Sequence, residues 1–91
     1  MVIAESHKYE IVESYVYFPP SSVKWQYLKR LDSKYTSPSL GEAILYDVET
    51  KGKTVRNGAW TYPNPNPGAE NIKDYVAFAY GEISMKTERV E

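Results

Sequence analysis

Glu42–Tyr62, EAILYDVETKGKTVRNGAWTY, decides how this chain folds. In its first half Ile44, Tyr46 and Val48 fall on one side of an extended backbone and Ala43, Leu45 and Asp47 on the other. That is the two-residue period of a strand with both faces partly covered. After the turn TKGK, the stretch TVRNGAWTY resumes a β-branched and aromatic composition, and Gly52 supplies the positive φ that a tight hairpin requires. The two halves predict a β-hairpin, and the rest of the chain is read outward from it.

Upstream, YVYF (15–18) and VKWQYLKR (23–30) are extended by composition, with Trp25 and Tyr27 on one face. Pro19 and Pro20 stop the first of these, because proline has no N–H to continue a ladder. PPSSV between them predicts a sharp bend with one turn of 3₁₀ helix begun by Ser21. Downstream, YVAFAYGEISM (75–85) predicts a long strand. Val76, Phe78 and Tyr80 share one phase and Ile83 and Met85 the other, so a β-bulge is expected at Gly81. GAENIKDY (68–75), with Ala69, Ile72 and Tyr75 spaced for one face, predicts a short helix of about two turns. YPNPNPG (62–68) alternates prolines that fix φ and extend the residues before them, which predicts a stiff polyproline-like strut holding two strands apart. The fold class expected is mainly β, a small antiparallel sheet with one short helix, in a single domain over 1–91 with 1–7 and 87–91 frayed.

Composition limits the chemistry. The 91 residues are 42% hydrophobic and 25% charged, so a soluble single domain is expected, and nine Tyr with two Trp make much of its core aromatic. Cysteine is absent, which removes disulfides, thiolate metal ligands and a thiol nucleophile, and a reducing cytoplasm is the expected location. MVIAESHKYE lacks the basic-then-apolar pattern of a secretory signal, and no apolar run reaches membrane-spanning length, so no membrane partner is expected. The formal charge is −1 and the basic residues are dispersed, leaving no phosphate-binding stripe; no nucleic acid partner is expected.

No catalytic residue, metal site or cofactor is assigned. The acids Asp32, Asp47, Asp74, Glu42, Glu49, Glu70 and Glu82 form no Asp-x-Asp pair, and there is no phosphate-cradling glycine loop. His7 is the single histidine, and Ser21, Ser22, Ser37 and Ser39 sit in proline-rich turns without an adjacent base. The aromatics carry more information. Packed as core, Trp and Tyr must satisfy an N–H or O–H, and so many polar-tipped rings in a small domain point to some of them lining a concavity. The candidate ligand-binding set is Tyr35, Ser37, Asn57, Trp60 and Tyr62, with the proline segment as a wall; Arg56 joins only if Asn57-Gly58 is bulged. A homodimer through a sheet edge or face is the other use such a sheet allows.

The segment Trp60, Tyr62, Pro63, Pro65, followed by Ala69, Ile72, Tyr75, Val76, Ala77 and Phe78, resembles the family called domain of unknown function 427, which also carries a nucleotidyltransferase-like label. VYFPPSSVKWQYL is similar to that family's Tyr-Phe-Pro segment and the strand after it, and the likeness runs from about Tyr15 to Met85. The resemblance implies an antiparallel sheet curved into a tent-like or partly open barrel. Many relatives carry a His-Cys-Pro-Tyr-Lys-Gly loop where this chain has TSPSLG (36–41), so chemistry that depends on those side chains is not carried over. The function expected is a small-molecule-binding or interaction module with an aromatic pocket; the alternative is a nucleotidyl- or phosphoryl-transfer enzyme, as the label implies.

Overall fold

The computed structural model describes residues 2–6, 8–50, 52–79 and 84–87. They form β1 (Val2–Ser6), β2 (Glu10–Val12), β3 (Tyr15–Phe18), β4 (Leu28–Ser37), β5 (Gly41–Thr50), β6 (Lys53–Thr61), β7 (Val76–Phe78) and β8 (Ser84–Thr87). Six of these make one antiparallel sheet in the order β2-β3-β7-β6-β5-β4. The mainly β, antiparallel expectation holds, and the sheet does not close into a barrel. β1 and β8 pair in parallel as a separate ribbon, with β1 lying against β3. Among the described residues no helix is long and apolar enough to cross a membrane.

The sheet is strongly curled. Neighbouring strands lie about 4.8 Å apart, so the outer strands of a flat six-stranded sheet would be separated by more than about 20 Å. Yet Ser39, in the turn after β4, donates to the Glu13 carboxylate, in the turn after β2, at 2.5 Å. A side-chain hydrogen bond thus joins the two margins where backbone pairing does not.

Both faces of the sheet are covered, and strand parity sorts the side chains between them. Phe18, Val48, Val55, Ala59, Val76 and Phe78 pack one face with Val23 and Tyr27 from the segment after β3 and Leu28 at the start of β4. Tyr17, Ala43 and Ala77 pack the other, covered by Tyr62, Ala69 and Ile72 from the β6–β7 connection. β7 sits between β3 and β6 with all three residues buried, which is why its sequence is an unbroken apolar run. The predicted hairpin is β5–β6, and Gly52 has the expected positive φ of 76°.

Several expectations are corrected. The predicted short helix is a single 3₁₀ turn, Glu70–Ile72; Lys73 already bridges to Tyr62, and Tyr75 lends its carbonyl to Thr61 Oγ1 at 2.7 Å. Trp25 and Tyr27 do not share a strand face: Trp25–Tyr27 is a 3₁₀ turn, and Trp25 Nε1 donates to the Pro20 carbonyl at 2.9 Å. The other expected 3₁₀ turn is present at Pro20–Ser22, one residue earlier than its predicted start. Within the strand predicted over 75–85 the described residues give β7 and the start of β8, which pairs with β1; the bulge expected at Gly81 lies outside the described residues. The proline segment does not hold its flanking strands apart, because β6 and β7 are direct hydrogen-bonded neighbours. Instead it packs on the β4–β5 turn, where Asn66 N–H donates to the Leu40 carbonyl at 2.9 Å and Asn66 Nδ2 to the Pro38 carbonyl at 3.3 Å.

Candidate functional site

Sequence places Tyr15 and Tyr17 on one face of β3, Trp60 and Tyr62 on the same face at the end of β6, and Tyr35 and Ser37 on β4. Curling the sheet turns these positions toward one another. A concavity of about 370 Å³ opens on this face, and Tyr35, Ser37, Asn57, Trp60 and Tyr62 all line it, together with Glu13, Tyr15, Tyr17, Leu40 and Leu45. Arg56 is not in the lining, although the bulge that was its condition exists: Tyr46 pairs with Ala59 and Val48 with Val55, so extra residues of β6 oppose Asp47.

The floor is set by register. Leu45 pairs with Trp60, Trp60 with Ala77, and Ala77 with Tyr17, one row across four strands. Ala77 is fully buried in the middle of that row, and its methyl leaves the two large rings room to meet above β7. There Trp60 Nε1 donates to the Tyr17 hydroxyl at 3.1 Å. Tyr15 stands nearly perpendicular to Trp60, with ring centroids 4.8 Å apart and planes at 83°. With its N–H taken up by Tyr17, what Trp60 offers a ligand is π surface.

The rim is built by the TSPSLG segment. Thr36 and Ser37 end β4, so only Pro38–Leu40 is the turn. Leu40 N–H donates to Ser37 Oγ at 3.2 Å, and the Ser37 and Ser39 hydroxyls are 3.2 Å apart. Because Ser39 directs its single proton to Glu13, Ser37 is the donor to Ser39. Asn57, with φ of 53°, is held at the bulge by its N–H, which donates to Asp47 Oδ1 at 2.9 Å.

Two of the phenols are perturbed. Burial, reinforced by the neighbouring Tyr17, pushes the Tyr62 phenol up to about 12, against a smaller opposite pull from the Ser37 hydroxyl. Burial also raises Tyr17; the hydrogen bond from Trp60 works against it and the Glu13 carboxylate with it. Both rings therefore stay protonated near neutral pH, where they serve as hydroxyl donors and apolar walls rather than as bases.

The family model described as Domain of unknown function (DUF427) matches residues 1–91. The chain belongs to this family. No curated protein matches it. In this DUF427 domain the acids weighed for metal binding are dispersed: Asp47 caps the bulge, Glu42 pairs with Lys34 at 3.4 Å, and Glu70 accepts from Gly68 N–H at 2.8 Å. Asp32, Asp74 and Glu49 are exposed, and Glu82 and His7 lie outside the described residues. Among the described residues no three His, Cys, Asp or Glu converge to hold a metal. Trp25 lies on the opposite face, edge-on to Tyr46 at 5.8 Å. Sequence reading did not assign Glu13, Tyr15, Tyr17, Leu40 or Leu45 to the site; the alternation of YVYF and EAILYDVE carries Tyr15, Tyr17 and Leu45, whereas nothing local marks the turn residue Glu13.

Proposed function

We propose that this domain is a small-molecule-binding module whose site is the aromatic concavity between β3, β4 and β6. The observation that carries the reading is the convergence of five aromatic rings, Tyr15, Tyr17, Tyr35, Trp60 and Tyr62, with Ser37 and Asn57, around about 370 Å³ of open space. Sites for small molecules combine such apolar walls with a few polar groups, and their volumes start at roughly 300 Å³. The walls are pre-organised, since Trp60 is tied to Tyr17 and the proline connector to the β4–β5 turn, which lowers the ordering cost of binding. The nucleotidyl- or phosphoryl-transfer alternative has less support, because among the described residues no Lys, Arg or His lines the concavity to meet a phosphate. The homodimer through an edge is opposed by Lys29, Arg30, Asp32 and Lys34 along β4, charges that discourage addition of another strand.

A fragment set screened by ligand-observed NMR, with the Trp60 indole N–H as the protein-side reporter, tests this. Binding is expected to shift that resonance, to weaken in Tyr35→Ala and to vanish in Trp60→Ala and Tyr62→Ala. Tyr35 is 55% exposed, so its removal leaves the fold intact. Unchanged binding in folded Tyr35→Ala and Trp60→Ala proteins would place the ligand elsewhere.

A further inference from the structure

The lining of the concavity has a sign. Among the described residues Glu13 is the one carboxylate in the lining, and no Lys, Arg or His joins it there. Glu13 is also held in place. It occupies a two-residue turn in which Val12 pairs with Tyr15, and both turn residues have positive φ, 51° at Glu13 and 71° at Ser14. That backbone suits Asn-Gly far better than Glu-Ser. Its carboxylate is then fixed by Ser39 from the far margin of the sheet. A charged residue in a strained turn, aimed at the rim of an aromatic hollow, is a placement that hairpin formation alone does not call for.

The rings supply the matching half. Tyr15 and Trp60 form a corner of perpendicular planes, and Tyr17 and Tyr62 add a tilted pair with centroids 6.3 Å apart. Aromatic faces attract cations placed within about 6 Å of the ring centroid, most strongly for Trp and most strongly when water is excluded. The negative field of Glu13 reaches this interior, for it contributes to raising both Tyr17 and Tyr62. A field that opposes phenolate formation favours a positive guest. A phosphate or carboxylate ligand would meet repulsion, and a neutral one would gain nothing from the charge.

Resting on the reading of the concavity as a ligand site, we propose that it binds an organic cation, a tertiary or quaternary ammonium group, held against Trp60 and Tyr15 with Glu13 as the counter-charge, while the buried rings of Tyr17 and Tyr62 back the site. Tyr35, largely exposed at the mouth, closes over the bound group.

The experiment compares choline with 3,3-dimethylbutan-1-ol, its uncharged isostere of the same shape, and with inorganic pyrophosphate. Full-length protein is titrated while Trp60 is followed by fluorescence and by its indole N–H resonance; Trp25, on the other face, serves as the internal reference. Choline is expected to bind at least roughly tenfold more tightly than the isostere, the factor that a desolvated cation–π contact supplies. Glu13→Gln, which keeps a hydrogen-bond acceptor for Ser39, is expected to weaken choline by several-fold and leave the isostere unchanged. Added salt is expected to weaken choline in the parent and not in the variant. Equal affinity for choline and the isostere, indifference of choline to Glu13→Gln, or tighter binding of pyrophosphate would each overturn the cation assignment. Fragments that bind while choline does not would overturn this assignment alone; silence from fragments, choline and isostere together would overturn the pocket as well.

Discussion

Gly41 opens β5 with φ of 113°, a value side-chain-bearing residues rarely adopt, and a methyl added there would sit 3.3 Å from both the Asn64 carbonyl oxygen and Asn66 Oδ1. This is where the proline connector lands on the β4–β5 turn. Gly41→Ala is therefore expected to destabilise the domain by about 1–3 kcal/mol, read from urea unfolding. Tyr62 carries a pH signature. Its phenol is raised from 10.0 to about 12 in the folded protein, so it contributes stability that is fully present below pH 10 and is lost as pH rises through about 12. Tyr62→Phe is expected to flatten the alkaline limb of the stability–pH curve, and a limb as steep as the parent's would show that another group sets it.

Asp47 shows how one side chain governs an element. On an alternating strand it is an exposed-type residue, yet it is 9% exposed because its carboxylate accepts the Asn57 N–H that the bulge in β6 leaves without a ladder partner. Asp47→Ala leaves that part-buried N–H to water, with an expected cost of about 0.5–1.5 kcal/mol and faster hydrogen exchange at the Asn57 amide. The β6–β7 connection is likewise set by local chemistry. Pro67 and Gly68 form the centre of a turn closed by Ala69 N–H to the Asn66 carbonyl at 3.0 Å, with Gly68 at φ of 97°. Proline then glycine is the order that a type II turn demands. The helix expected over 68–75 gives way to a 3₁₀ turn because its C-terminal end is claimed by Tyr62, just beyond β6: Asp74 N–H donates to the Tyr62 carbonyl at 3.1 Å.

At the scale of the whole molecule β7 is the keystone, three residues buried on both faces between β3 and β6. Phe78 packs edge-on against Phe18 at 6.1 Å, fully buried. Phe78→Ala is expected to cost about 3–5 kcal/mol, a large part of the roughly 5–15 kcal/mol that holds a domain of this kind together. On the opposite face of the same strand, Ala77→Leu tests the link between fold and site. It is expected to cost about 1–3 kcal/mol by overpacking and to wedge Trp60 from Tyr17, closing the concavity. A folded Ala77→Leu protein that bound fragments as the parent does would show that the hollow does not depend on that row.

The strands with a period of two, β3, β5 and β6, were legible because alternation is a local property, and so were the proline stops and the Gly52 turn. Of the five residues assigned to the candidate site, Asn57, Trp60 and Tyr62 came from β6 or its end, whereas Tyr35 and Ser37 lie on β4, at and beside the stretch that stands where many relatives carry a different loop. β4 was largely illegible: LKRLDSKYTS is exposed along most of its length at the margin of the sheet, so no buried face writes a pattern into it. The arrangement of strands was decided only in three dimensions, since β7 inserts between β3 and β6 through contacts far apart in the chain. Glu13 became a site residue for the same reason. Nothing near it in sequence marks it, and only the curl of the sheet carries its carboxylate to Ser39 and to the rim of the rings. Local periodicity determines which side chains share a face; curvature and strand order, which are sums over non-local packing, determine which faces meet.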